Sequence, residues 1–306
     1  MKEALGDLSG RSLKFSEGNA KLKGIMSISL PAGHACPGAN ECFAKTVQIP
    51  GFKVEAYSEE KKQAKVNQCG FHVQDGPNCQ FRCFAATDEA KYRATRMQRW
   101  HNFLLLKAAG TTPAIVDLIV QSLPKTFAPM RLHVAGDFYS QAYFDAWIEV
   151  AKRFPAQVFY AYTKSLPLWV ARLGQIPSNL RLVASYGGKW DHLIAEHNLK
   201  FAKVCFTEKE AADLGLEIDH DDSHAYGTGG SFALLLHGTQ PAGSPAAKAW
   251  SALKAVGKGG YHNQKAGRES LGTFYANKAK KRNAGGINSP NPIGLILKKT
   301  AGVPAP

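Results

Sequence analysis

Six cysteines stand out in this chain of 306 residues: Cys36, Cys42, Cys69, Cys79, Cys83 and Cys205. Five of them fall within a single run of 48 residues. Cys36 and Cys42 are separated by five residues, Cys79 and Cys83 by three. Thiolates are soft ligands, suited to zinc or to iron–sulfur clusters. Zinc ribbons favour pairs two residues apart, so spacings of three and five fit a cluster loop better. In "CQFRCFAA" the position three beyond Cys83 is Ala86, where a contiguous cluster motif would carry another cysteine. Cys69 is a spare that could replace any member. Cys205, inside "FAKVCFT", reads as a buried core residue.

A second group of ligand types is "DHDDSH", with Asp219, His220, Asp221, Asp222 and His224. It would suit a hard metal and the metal-assisted hydrolysis of phosphodiesters. "GTGGSF" precedes a strand rather than linking a strand to a helix, so it is not a phosphate-binding loop.

The charge is uneven. The net charge is +14, yet from His237 onward eleven Lys and Arg face one acid, Glu269. A localised basic segment argues for a polyanionic partner. Within it "KAKKRN" brings Lys278, Lys280, Lys281 and Arg282 together near Phe274 and Tyr275. Charge would meet phosphates there and aromatics would stack on bases, so DNA or RNA is the expected partner. No spacing of a sequence-reading motif is present. Arg93, Arg96 and Arg99 are expected on a basic helix face, either solvated or facing phosphate. No run of 18 apolar residues occurs and the N-terminus lacks an apolar leader core. No membrane span is expected, and the expected location is the cytoplasm.

Elements must hold these residues. "GIMSISL" reads as a strand, followed by a long loop from 31 to about 86. A helix with Thr87 as N-cap should follow, then a second over 112–123. From 130 apolar strands alternate with helices: "MRLHVAG", "AQVFYAYTKS", "NLRLVASYGG", "FAKVCFT" and "SFALLLHG", with "SQAYFDAWIEVAKRF" and shorter helices between. That rhythm predicts an α/β fold with a parallel sheet. The expected form is a partial (β/α) barrel of about six units over 1–238, with the cysteine-rich insertion at about 31–86. A doubly wound open sheet is the alternative. The remainder, 239–306, reads as a basic C-terminal extension with one helix near "AAKAWSALKAV".

In such folds the working residues sit at the C-terminal ends of strands. There the chain places Gly136 and Asp137, Thr163 and Lys164, Ser185 and Tyr186, Thr207 and Glu208, and His237. Asp137 and Lys164 are the candidates for positioning charge. Gly136, Thr163 and Ser185 join Asp137 as candidates for holding a cofactor.

"GNAKLKGIMSISLPAGHACPGANEC", "RLHVAGDFYS", "FYAYTKS" and "ASYGG" together resemble the phage "gene product eighty-eight" family, over roughly Phe15 to His237. The resemblance implies that Cys36, Cys42 and Cys83 are the shared cysteines and that Phe43–Arg82 is an insertion. A looser resemblance is to radical S-adenosylmethionine enzymes, in the order strand, cysteine loop, helix, strand and then "AGD". It implies a [4Fe–4S] cluster on Cys36, Cys42 and Cys83, S-adenosylmethionine as cofactor, and Asp137 against the cofactor's amine. The family's contiguous cysteine triplet is absent. Cys79 as a fourth ligand would give a closed structural cluster instead. The expected function is an iron–sulfur, radical-type enzyme acting on nucleic acid or another polyanion. The alternatives are a non-catalytic nucleic-acid-binding protein with a zinc- or cluster-stabilised loop, and a metal-dependent nuclease using the Asp/His run.

Overall fold

The computed structural model describes residues 10–258, except 18–21, 23, 51–69, 126 and 128. Cys69 and the patch Lys278, Lys280, Lys281 and Arg282 lie outside the described residues. Six strands form one wholly parallel sheet: β1 (Met26–Ile28), β4 (Met130–Leu132), β5 (Phe159–Thr163), β6 (Leu180–Ser185), β7 (Phe201–Cys205) and β8 (Phe232–Leu235). Their order in space is their order in the chain. A doubly wound sheet needs that order to reverse at a switch point, so the alternative architecture is excluded.

The register explains the alternation of side chains. Ser27, Arg131, Tyr160 and Arg181 are aligned across four strands, so they share one face. Their neighbours Ile28, Leu132, Ala161 and Leu182 share the other. That second face packs under α2 (Arg93–Ala109), α3 (Thr112–Ser122), α4 (Gln141–Arg153), α5 (Leu166–Val170) and α6 (His192–Glu196) to make the main core. Helices gathered on one face are what a non-reversing order produces. Ser140 caps α4 by accepting from the N–H of Tyr143, as its sequence predicts.

The first face is covered differently. Tyr160, Val183, Ala202 and Phe232 pack against Leu22, Ile25 and the short helix α8 (Ser223–Tyr226). Arg131 is committed there, bonding Asp222 at 2.7 Å, while Tyr160 and Tyr162 donate to the same carboxylate. Asp222 is 0% exposed, so this pair satisfies charge that would otherwise be buried alone.

Two local expectations are corrected. The segment 31–86 is not a plain loop, because Ala44–Gln48 (β2) and Phe71–Asp75 (β3) pair as an antiparallel ladder. The predicted helix from Thr87 is instead two. α1 (Phe84–Lys91) starts at Cys83, and the chain turns extended at Tyr92 before α2. The break has a purpose: Arg96 and Arg99 point inward, bonding the carbonyls of Glu89 and Ala85. Arg99 also pairs with the buried Glu89 carboxylate at 2.9 Å, and Arg96 lies 3.7 Å over the Phe71 ring. These two arginines are structural, neither solvated nor free for phosphate. α7 (Glu208–Asp213), capped by Thr207, follows β7, and α9 (Pro245–Ala255) packs on Leu236 beside Phe81, Val204 and Phe206.

Candidate functional site at the C-terminal edge of the sheet

β1, β4, β5 and β6 all deliver their C-terminal ends to one edge, and the cysteine segment folds over it. Two close approaches make this possible. Gly38 passes so near Lys164 that a Cβ there would stand 2.1 Å from its carbonyl oxygen. Gly136, at φ +84°, passes Leu30 in the same way, with only 2.5 Å for a Cβ. Such positions admit glycine alone. The turn 37–41 is then stitched to the end of β6. Lys189 N–H donates to Gly38 O, Glu41 N–H to Gly187 O, and the Lys189 ammonium to Pro37 O, each at 2.9 Å.

Asp137 is the floor of the site. One carboxylate oxygen accepts from the Thr163 hydroxyl at 2.6 Å and from the Phe138 N–H at 2.7 Å. The other accepts from the Lys164 N–H at 2.8 Å. Burial pushes its pKa up, and these hydrogen bonds oppose that. Asp137 therefore staples the ends of β4 and β5 together. The Lys164 ammonium reaches across to β6, donating to the hydroxyl and carbonyl of Ser185 at 2.9 Å each and to the carbonyl of Tyr186. Its acceptors are neutral oxygens, so its positive charge stays available to the site.

Cys36, Cys42, Cys79 and Cys83 are free and half-buried. Burial raises the pKa of the Cys36 thiol well above its ordinary value, followed by the charges of Asp137, Cys83 and Cys42. Cys42 is raised by burial and lowered by Lys164. Cys83 is pushed up to about 12 by burial, with Cys42 adding to it. The three thiols are thus within electrostatic reach of one another. The backbone at Ala85 and Ala86 acts to lower the pKa of the Cys83 thiol and that at Gly33 to lower that of Cys36, and the Ala86 N–H donates to the Cys83 carbonyl at 3.2 Å.

Cys79 sits apart. Its pKa, about 11, is raised by burial, then Asp75 and then Cys42, and its thiol donates to Phe81 O at 3.4 Å. Ala86 is wholly buried in the first turn of α1, its carbonyl bonded to the Thr46 hydroxyl. A side chain there packs among Ala32, Ala44 and Ala135. Among the described residues, no three His, Cys, Asp or Glu side chains stand in ligating geometry. The donor set suits a soft metal or a cluster, and the thiols as placed would have to close around it.

The Asp/His run has been divided between two tasks. Asp222 faces Arg131 beneath the sheet, whereas Asp219 and His224 face the opposite edge from the cysteines. Among the described residues no helix is long and apolar enough to cross a membrane.

Fold and site define a singly wound parallel α/β protein with a set of thiols packed over a buried Asp–Lys pair at the C-terminal strand edge. The chain belongs to the Gene product 88 family, whose model matches residues 9–255. It is also similar to the Gene 88 protein of Mycobacterium phage D29, 33% identical over 111 residues. That stretch is 34% of this chain and 46% of the phage protein, so the match spans less than half of the relative's length. No solved structure matches the chain.

Proposed function

We propose that the protein is an iron–sulfur, radical-type enzyme acting on nucleic acid or another polyanion, its sheet curling as a partial (β/α) barrel around the site. The observation that carries this is the gathering of Cys36, Cys42 and Cys83 over Asp137 and Lys164 at the C-terminal strand edge. Three thiols, rather than four, are the proposed ligands because Cys79 reaches only Cys42, while the other three reach one another. A [4Fe–4S] cluster on these three, with S-adenosylmethionine beside it, would supply one-electron chemistry. The chain's own residues have other tasks. The backbone at Ala85 and Ala86 and the Lys164 charge near Cys42 act toward the thiolate forms that ligation needs. Asp137 holds Lys164 and Thr163 in register, acting as a positioning residue. Polyanion binding rests on the net charge of +14.

Metal and sulfide analysis of anaerobically purified protein tests this. We expect iron and acid-labile sulfide in similar amounts. Cys36→Ser, Cys42→Ser and Cys83→Ser should each lose both, while Cys79→Ser keeps them. Zinc without sulfide would instead support a non-catalytic, metal-stabilised binding protein, and no metal at all would overturn both readings.

A further inference from the structure

The N-terminal edge of the sheet carries a second constellation, about 15 Å of strand away from the cysteines at roughly 3.3 Å per residue. After α7 the chain runs beside β8, with Ile218 bridged to Ala233 and flanking hydrogen bonds from Ala233 N–H to Glu217 O and Asp219 N–H to Ala233 O. In extended chain, residues two apart share a face. Ile218 therefore packs inward with Cys205 and Ala211, and Glu217 and Asp219 turn together to the other side. His224 stands between them. Its Nδ1 lies 2.9 Å from Asp219 and its Nε2 lies 3.0 Å from Glu217.

The two carboxylates are unlike. Asp219 is buried and further held by the N–H groups of Asp222 and His224. Glu217 has its side chain 86% exposed. With Nδ1 committed to Asp219, the imidazole presents Nε2–H to an open cleft of about 410 Å³. Glu217, Ser223, Gly229, Gly230 and Ser231 line it beside His224. Gly229 and Gly230 have empty space where a Cβ would stand, and neither has a left-handed φ. Neither packing nor backbone therefore requires glycine there, but a side chain would fill the cleft. Among the described residues no hydrogen bond claims the N–H of either glycine. Behind the cleft the Lys200 ammonium holds the loop through the carbonyls of His224 and Gly227, and Arg181 adds a second positive charge near Lys200.

We infer that this cleft is a phosphate-binding site, with His224 as its cationic donor, Asp219 orienting the ring, and Glu217 an internal stand-in for the ligand anion. An exposed carboxylate pairs weakly, so a phosphate with several acceptor oxygens displaces it at little cost. Asp219 keeps the imidazolium in place after the exchange. Asp221, which accepts from Ser223 N–H, and Asp222, whose carboxylate pairs with Arg131, are the remaining acids at the loop. The inference does not depend on the cysteine site.

Inorganic phosphate is the first probe, titrated into the full chain and followed by the His224 imidazole resonance, assigned as the signal missing in His224→Gln. We expect saturable binding, tightened about two- to fivefold in Glu217→Gln, where a competing charge is removed. The tightening should be absent in Glu149→Gln, an exposed acid of α4 that pairs with Lys152. Binding should weaken as pH rises through the His224 pKa, which its two carboxylate partners raise against the opposing effect of burial. Because Glu217 is exposed, that variant tests the site even where His224→Gln disturbs the loop. No tightening in Glu217→Gln, or an equal gain in Glu149→Gln, overturns the inference. Anisotropy of a labelled single-stranded oligonucleotide then identifies the source. Parallel changes in both variants assign a nucleic-acid backbone, and changes with free phosphate alone assign a small phosphorylated ligand.

Discussion

At Cys83 burial pushes the thiol up to about 12, although the backbone at Ala85 and Ala86 acts the other way. Cys36 lies well above its usual range for the same main reason. Without a metal, these thiols are therefore neutral at physiological pH. We expect iodoacetamide to label Cys36 and Cys83 of metal-free protein far more slowly than a free thiol at pH 8, as read by mass spectrometry. Labelling at the rate of an unperturbed thiol would show that these thiols are more open than described. Arg131 offers a second test. Arg131→Met leaves the Asp222 carboxylate buried without its cation, at a cost of about 3–5 kcal/mol in urea unfolding. Adding Asp222→Asn, which tolerates the left-handed φ of 64° at this position, should recover part of the loss.

Among the elements, the turn 37–41 is the one that brings two thiols to the strand ends. Gly38→Ala forces its new methyl against the Lys164 carbonyl, and we expect a loss of about 1–3 kcal/mol. Because the turn carries Cys36 and Cys42 with it, the same variant should bind less metal than Cys79→Ser does. Much of this level was legible in the sequence. Strands buried on both faces read as apolar runs, so β5, β6, β7 and β8 announced themselves, and a strand-end rule was enough to put Asp137 and Lys164 at one edge of the sheet. The β2–β3 pair escaped because AKTVQ and FHVQD are half polar and their partners are far apart in the chain. The break at Tyr92 has neither proline nor glycine to mark it. It is imposed by the inward pairing of Arg99 with Glu89, and a basic stripe on a helix gives no sign of facing the core.

For the molecule as a whole, acid should be a weakness with a definable source. His133 is buried at the end of β4, bonded to the Tyr143 hydroxyl, and burial lowers its pKa to about 3, with Arg131 adding to the effect. A folded-state pKa below the unfolded value of about 6.5 means that the fold prefers the neutral ring. Its contribution is complete above pH 6.5 and is lost as pH falls toward 3. The full shift corresponds to on the order of 5 kcal/mol. His133→Asn, which can keep the left-handed φ of 64°, should flatten the acid limb of the stability profile. The net charge of +14 makes a separate demand: polyanion binding should fall steeply with added salt. Affinity unchanged between low and physiological salt would remove the electrostatic basis for a nucleic-acid partner.

The non-reversing order of strands has a consequence in time. Cys36 and Cys42 leave the ribosome well before Ser185 and Tyr186, on which the lysine that sits near them is anchored. The turn itself is stitched to Gly187 and Lys189. A nascent chain thus carries these thiols without their partners until Lys189, roughly 150 residues beyond Cys36, has been made. On the proposed cluster reading, the group would be received late in synthesis or after release, so its supply would matter at that stage and not in the earliest folding steps.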